Sequence, residues 1–179
     1  MFKVLFKILS GVTVLVILYG CAGTGKRLIW KSDPSIHKKS NECFDIEAKT
    51  YCYNGNPAYI RGCRFFDLLI KNKTDKNIEI NWNKTFFIDE GQTNGGFMFE
   101  GIVFKDRNNQ KPPNIIFGKG KFQKSIYPNV LVYYEPGQFL GWHHEKMQPG
   151  EKGIFLTLSI ADQEISEKII LNISSEPEK

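Results

Sequence analysis

The stretch FDLLIKNKTDKNIEINW, residues 66–82, decides the fold of this chain. In its first half every second residue from Phe66 to Ile70 is apolar, which is the period of a half-buried β-strand. The second half alternates in the same way from Ile78 to Trp82, so these apolar side chains also share one face. The polar residues between the two halves supply a turn. The stretch therefore predicts two strands with one buried face each.

The chain on either side of this stretch repeats the pattern of short strands and turns. The clearest hairpin joins 154–160 to 165–173 through the turn at 161–164. Phe (14) and Tyr (7) are abundant, a composition that suits strands better than helices. We therefore expect an all-β, antiparallel β-sandwich over residues 42–175, followed by a polar tail at 176–179.

Residues 66–82 also resemble the paired core strands of immunoglobulin-like domains on bacterial surface lipoproteins. The resemblance implies an immunoglobulin-like β-sandwich. Sandwiches of this kind have many unrelated functions, so the resemblance does not indicate an activity.

The N-terminus carries a secretion signal. Lys3 and Lys7 accompany an apolar run that ends in Leu18-Tyr19-Gly20-Cys21, the arrangement of a signal peptide. A cysteine directly after a small residue makes this segment resemble a bacterial lipoprotein signal peptide, although Tyr19 is larger than the residue usual there. The resemblance implies removal of residues 1–20, acylation of Cys21 and a bilayer as partner. Ala22 rather than Asp follows the cysteine, which favours the outer membrane of a bacterial envelope.

Two alternatives for this segment stay open: a signal peptide cut without lipidation, and an uncleaved anchor. The strongly apolar part is shorter than the roughly 20 residues that span a bilayer, which disfavours the anchor. Residues 21–41 contain Gly23, Gly25 and Pro34 and little apolar periodicity, so they are expected to form a flexible linker.

Charge argues against nucleic acid as a partner. The formal net charge is +5, and loss of Lys3 and Lys7 with the signal peptide lowers it by two. The remaining excess is scattered, whereas a nucleic-acid-binding protein needs a clustered basic face.

Three cysteines remain besides Cys21. A turn-rich segment, Asn54 to Pro57, lies midway between Cys52 and Cys63. A hairpin turning there would bring these two side by side, so we favour a Cys52–Cys63 disulfide, with Cys43–Cys52 as the runner-up. The odd thiol is left free or pairs with another chain.

The sequence offers little support for chemistry. His143 and His144 suggest a metal site, but adjacent strand residues point to opposite faces and a zinc site needs three or four converging ligands. No Gly-x-Ser-x-Gly elbow or phosphate-binding loop is present. We expect no enzyme activity and no cofactor.

Aromatic residues near predicted loops are the better candidates for binding. Loops on a rigid scaffold often carry function, and Tyr and Trp are favoured at contact surfaces. The candidates for a partner surface are Phe97, Phe99, Tyr134, Phe139 and Trp142. We therefore expect a membrane-anchored, non-catalytic envelope lipoprotein that binds or scaffolds another envelope protein. The alternative is a β-sandwich that binds a small molecule, carbohydrate or metal.

Overall fold

The computed structural model describes residues 27–56, 60–136 and 142–178, which contain fourteen strands, short 3-10 turns and no α-helix. The first seven strands are β1 (Leu28–Asp33), β2 (His37–Ser40), β3 (Phe44–Tyr53), β4 (Gly62–Asn72), β5 (Ile78–Ile80), β6 (Phe86–Asp89) and β7 (Gln92–Thr93). The other seven are β8 (Phe97–Met98), β9 (Asn114–Ile116), β10 (Lys121–Pro128), β11 (Val132–Tyr134), β12 (Trp142–His144), β13 (Gly150–Ile160) and β14 (Gln163–Pro177).

These strands form two main antiparallel sheets packed against each other. The larger sheet has the order β1-β14-β13-β5-β9, and β6 joins it by pairing with β13 and β7. The smaller sheet has the order β2-β3-β4-β10-β8, and β11 pairs with β12 separately. The predicted all-β, antiparallel class is confirmed, with a sandwich-like packing of the sheets.

The core lies between the sheets because apolar residues alternate along the long strands. In β4, Phe66, Leu68 and Ile70 are fully buried and face the larger sheet. Ile78 and Ile80 of β5 are fully buried from the other side. Burying a large apolar side chain contributes about 1.5–3 kcal/mol, so this alternation supplies the main driving force for sheet packing.

Residues 66–82 do not form a hairpin, however. β4 pairs with β3 and β10, whereas β5 pairs with β13 and β9, so the turn between them crosses from one sheet to the other. The buried Asn72 holds this crossing, because its Nδ2 donates to the carbonyl oxygens of Lys76 (2.7 Å) and Phe117 (3.1 Å). Both halves have a buried face because they face each other across the core.

The β13–β14 hairpin forms as predicted. The two strands pair from Gly150↔Ile173 to Ile160↔Gln163. Ala161 (φ 46°) and Asp162 (φ 67°) occupy the turn, and two positive φ values are the mark of the type I′ turn that matches strand twist.

The structure corrects both predicted domain boundaries. Much of the expected linker 21–41 is folded, because β1 pairs with β14 and β2 pairs with β3. The expected tail 176–179 is also partly structured, since β14 continues to Pro177 opposite Leu28. Segments with weak apolar periodicity thus form strands at sheet edges, where a long partner strand supplies the hydrogen bonds.

Cys52 and Cys63 lie opposite each other on β3 and β4 and form a disulfide, the pairing favoured from the central turn. Cys43 is a free, half-buried thiol at the other end of β3.

Candidate binding surface

Aromatic side chains cover part of the outer face of the smaller sheet. We call this surface the aromatic patch, and its members are Tyr51, Phe65, Tyr127, Trp142 and His144. Ring centroids are 5.6 Å apart for Tyr51–Phe65, 5.0 Å for Phe65–Tyr127 and 5.0 Å for Tyr127–Trp142. Such spacings are typical of packed aromatic pairs. Tyr51 is 53% exposed and the other four are half-buried, so the patch is both packed and accessible to a partner.

Strand alternation and a bulge create the patch. Phe66 and Ile126 point into the core, so the preceding Phe65 and the following Tyr127 point outward. The β3–β4 register shifts between Thr50 and Cys52, which places Tyr51 at a β-bulge. A bulge redirects a side chain, and these features often lie next to functional sites.

β12 is held against the start of β4 by one side-chain and one backbone hydrogen bond. The Nη1 group of Arg64 donates to the His144 carbonyl oxygen (2.6 Å), and the Met147 amide donates to the Cys63 carbonyl oxygen (2.7 Å). Met147 is almost fully buried. These contacts place Trp142 and His144 beside Tyr127.

His144 acts in this cluster as a neutral aromatic ring. Its ring centroid lies 4.8 Å from that of Tyr127 and 6.2 Å from that of Phe65. Burial, followed by the charges of Arg64 and His143, lowers the pKa of His144 from 6.5 to about 4. Near neutral pH the imidazole therefore carries no charge.

The two adjacent histidines lie in different surroundings. The ring of His143 packs against Tyr133, with centroids 5.7 Å apart, whereas His144 packs within the aromatic patch. Within the described ranges, no group of three His, Cys, Asp or Glu residues is placed to hold a metal ion.

A polar cleft adjoins the aromatic patch at Tyr127. Its volume is about 350 Å³, and its lining consists of Asp67, Glu100, Gln123, Lys124, Ser125 and Tyr127. The Ser125 hydroxyl donates to Asp67 Oδ1 (2.6 Å). Burial, and then the negative charges of Asp67 and Glu100, raise the pKa of Tyr127 above 10.0. Tyr127 thus remains a neutral phenol that borders both the aromatic patch and the cleft.

The predicted partner surface is wrong at two positions, Phe97 and Phe99, because both side chains are buried. They are 1% and 8% exposed, and their rings pack against Phe87 (6.3 Å) and Trp82 (4.7 Å). After the glycine-rich loop the chain returns directly to the core, so these rings are not accessible to a partner.

The other two predicted surface residues that the structure describes differ in their ring contacts. Trp142 belongs to the aromatic patch, whereas Tyr134 is 51% exposed and packs near Phe104 (6.0 Å). Phe139 and Cys21 lie outside the described residues.

The predicted partner surface did not include Tyr51, Phe65 or Tyr127. Two signals could have identified the first two. Tyr51 precedes Cys52 and Phe65 lies two residues after Cys63, so the disulfide-linked hairpin brings them together. Phe65 and Phe66 are also adjacent on a strand, which forces one of the two rings outward.

Comparison with protein-family models and with curated proteins finds no significant match to this chain. Across the part of the chain that the structure describes, no helix has the length and apolarity needed to cross a membrane.

Proposed function

We propose that this chain is a lipid-anchored, non-catalytic protein of a bacterial envelope that binds another envelope component through the aromatic patch. The proposed fold is an immunoglobulin-like sandwich, which two packed antiparallel sheets and the sheet-crossing segment 66–82 support. Its disulfide joins neighbouring strands of one sheet, unlike the inter-sheet bridge of antibody domains.

Anchoring rests on the segment Leu18 to Cys21 and the apolar run before it. We expect the mature N-terminal peptide to begin at an acylated Cys21 in the outer membrane. Mass spectrometry of that peptide is the direct measurement. Cys21→Ala should release the protein from the membrane fraction, and a variant that stayed membrane-bound would contradict acylation at this residue.

The observation that supports the binding role is the closely packed, partly exposed aromatic patch. Tyr and Trp provide large contact area at small entropic cost and are enriched among residues that dominate binding energy. Hydrogen bonds between β4 and the segment 144–147 pre-position two of the five rings, which reduces the ordering cost of association.

A pull-down of the full-length protein from envelope extracts tests this role. Tyr51→Ala should weaken partner recovery by about tenfold, because a central contact residue contributes roughly 1–2 kcal/mol or more. Phe117→Ala is the matched control, since Phe117 is 70% exposed but lies beside the crossing turn, away from the patch. Equal loss in both variants, or repeated failure to enrich a partner, would count against the proposal.

Carbohydrate binding is the second candidate, and the polar cleft beside Tyr127 favours it. A ring face next to carboxylate, amide and hydroxyl groups can stack on a sugar ring and bind its hydroxyls. N-acetylglucosamine oligosaccharides should then raise the melting temperature, because ligands that bind only the folded state stabilise it. Gln123→Ala should reduce the shift, whereas Gln148→Ala should not, because Gln148 is exposed but does not line the cleft.

A further inference from the structure

The start of β1, the end of β14 and the β3–β4 turn meet at one end of the sandwich. The amide of Glu178 donates to the Arg27 carbonyl oxygen (2.7 Å), and Arg27 Nη2 donates to the Asn54 carbonyl oxygen. Asn54 also bonds β1 through both side-chain atoms, accepting from the Trp30 amide (2.7 Å) and donating to the Trp30 carbonyl oxygen (2.9 Å). The chain therefore enters the folded domain at a fixed point beside this turn.

Very little chain separates this entry point from the proposed lipid. Only residues 22–26 lie between Cys21 and Arg27. A fully extended chain spans at most about 3.6 Å per residue, so Arg27 cannot lie more than about 22 Å from an acylated Cys21. The expected linker of about twenty residues would have allowed a much larger separation than these five residues do.

The side chains at this end suit a phosphate-rich surface. We call it the tether end and define it by Arg27, Asn54–Asn56, Arg61 and Lys146. Arg61 donates to the Gly55 carbonyl oxygen (2.8 Å) and to Asn56 Oδ1 (2.7 Å), which holds its guanidinium at the turn. The Nζ atom of Lys146 lies 4.7 Å from the ring centroid of Trp30. The carboxylate of Glu178 pairs with Arg27 (3.3 Å), and Glu145 is a further exposed carboxylate near Lys146.

We propose that the tether end is a membrane-contacting surface whose partner is the phosphate layer of lipid headgroups. This inference rests on the proposed acylation of Cys21. Guanidinium groups match phosphate oxygens in geometry, and basic side chains near a lipid anchor are attracted to anionic lipids. In this orientation the tether end of the sandwich faces the bilayer, and the strands run away from it.

The opposite end lies far from the headgroups in this arrangement. β4 contains 11 residues, so its two ends are about 35 Å apart. Asn56 lies before β4 at the tether end, and Asp75 lies beyond its other end in the crossing turn. Both residues are exposed, so they form a matched pair of reporter positions.

The test uses the full-length, acylated protein in vesicles of phosphatidylethanolamine and phosphatidylglycerol with a spin label on the lipid headgroup. Asn56→Cys and Asp75→Cys, each in a Cys43→Ser background, would carry the same fluorophore. We expect several-fold stronger quenching at position 56 than at position 75. Equal quenching, or stronger quenching at position 75, would overturn the proposed surface.

Two variants that each remove one positive charge test the headgroup contact itself. For this comparison the fluorophore is placed at Leu28→Cys, an exposed position at the start of β1, because Asn56 itself accepts a hydrogen bond from Arg61. Arg61→Gln should lower the quenching at position 28, whereas Lys119→Gln, at the opposite end, should leave it unchanged. No change with Arg61→Gln would overturn the role of this guanidinium. The mass of the N-terminal peptide separates the two proposals: an unmodified Cys21 overturns both, and an acylated chain with equal quenching overturns only the surface.

Discussion

Lys152 carries a charge although its side chain is only 3% exposed. Its Nζ atom lies 2.6 Å from Asp89 Oδ1 and 2.9 Å from Glu90 Oε1. Burial alone would lower the pKa of this ammonium, but the hydrogen bonds to the two carboxylates and their negative charges outweigh burial and raise it above 10.5. The charged ammonium of Lys152 therefore links β13 to the end of β6 through two ion pairs.

We expect Lys152→Ala to lower the free energy of unfolding by about 1–3 kcal/mol, because it leaves two carboxylates without their cation. Because the folded pKa exceeds the unfolded value, the charge contribution is complete below pH 10.5 and is lost as pH rises through the folded pKa. Urea unfolding of both proteins over this window measures the difference. A destabilisation that did not shrink at high pH would contradict the charge argument. Lys168→Ala, an exposed residue on β14, is the control.

His144 gives the opposite pH dependence. Its folded pKa of about 4 lies below the ordinary 6.5, so protons bind the unfolded chain more tightly. Stability should be unaffected above pH 6.5 and should fall as pH decreases from 6.5 to about 4. Partial solvent access limits the loss to about 2 kcal/mol. His144→Phe should flatten this part of the profile in thermal unfolding, whereas an identical acid profile would contradict the assignment.

Residue positions were predictable where strands alternate strictly and less so elsewhere. Phe66 to Ile70 are buried at every second position as expected. Phe97 and Phe99 follow a glycine-rich loop, and the loop does not reveal on which side the chain re-enters the sheet. Their burial depends on packing against Phe87 and Trp82, which no local pattern specifies.

At the scale of elements, β1 is an edge strand that contributes one large side chain to the core. Trp30 is 5% exposed, whereas its neighbour Lys31 is exposed and pairs with Glu176 (2.7 Å). β1 is therefore part of the domain and not of a linker.

We expect Trp30→Ala to lower the free energy of unfolding by about 3–5 kcal/mol, since a large buried ring leaves a cavity. Lys31→Ala should cost less than about 1 kcal/mol, because exposed ion pairs contribute little. Denaturant melts of the two variants measure this contrast. Equal, small effects would mean that β1 detaches from the sandwich in solution.

β1 and β2 were not predicted as strands, because their own sequence patterns are weak and partner strands supply their hydrogen bonds. β1 consists of three apolar residues, Leu28 to Trp30, followed by three polar ones, Lys31 to Asp33, so it lacks the regular alternation of a half-buried strand. Gly25 and Pro34 flank this segment. Their hydrogen bonds go to β14 and β3, which already have strong patterns of their own. The β13–β14 hairpin, by contrast, carries both its strands and its turn in one continuous stretch.

For the whole molecule, the fold class was predictable and the distribution of strands between sheets was not. Alternation indicates that a strand has a buried face, but it does not indicate which sheet the strand joins. Residues 66–82 show this, since two well-patterned strands cross the core instead of pairing. The aromatic patch has the same origin, because it combines the β3–β4 hairpin with β10 and β12, which are distant from it in sequence.

β14 is an interior strand of the larger sheet, since it pairs with β1 on one side and β13 on the other. Ile169, Leu171 and Ile173 of this strand are at most 1% exposed. A chain that stops before Gln163 should therefore not fold cooperatively, because it loses this apolar face and the partner of β1. Circular dichroism during heating measures the transition. A sigmoidal transition like that of the full chain would contradict this expectation.

The pairing of β1 with β14 also sets the order in which the protein can fold. Leu28 pairs with Pro177, so almost the entire domain must emerge before the first strand meets its partner. Closing a loop of this length costs about 4 kcal/mol of chain entropy. The β13–β14 hairpin forms last in synthesis but has the shortest loop, so it can form at once and then capture β1. Until that capture, the exposed edge of β14 and the ring of Trp30 are surfaces that a chaperone could shield from aggregation.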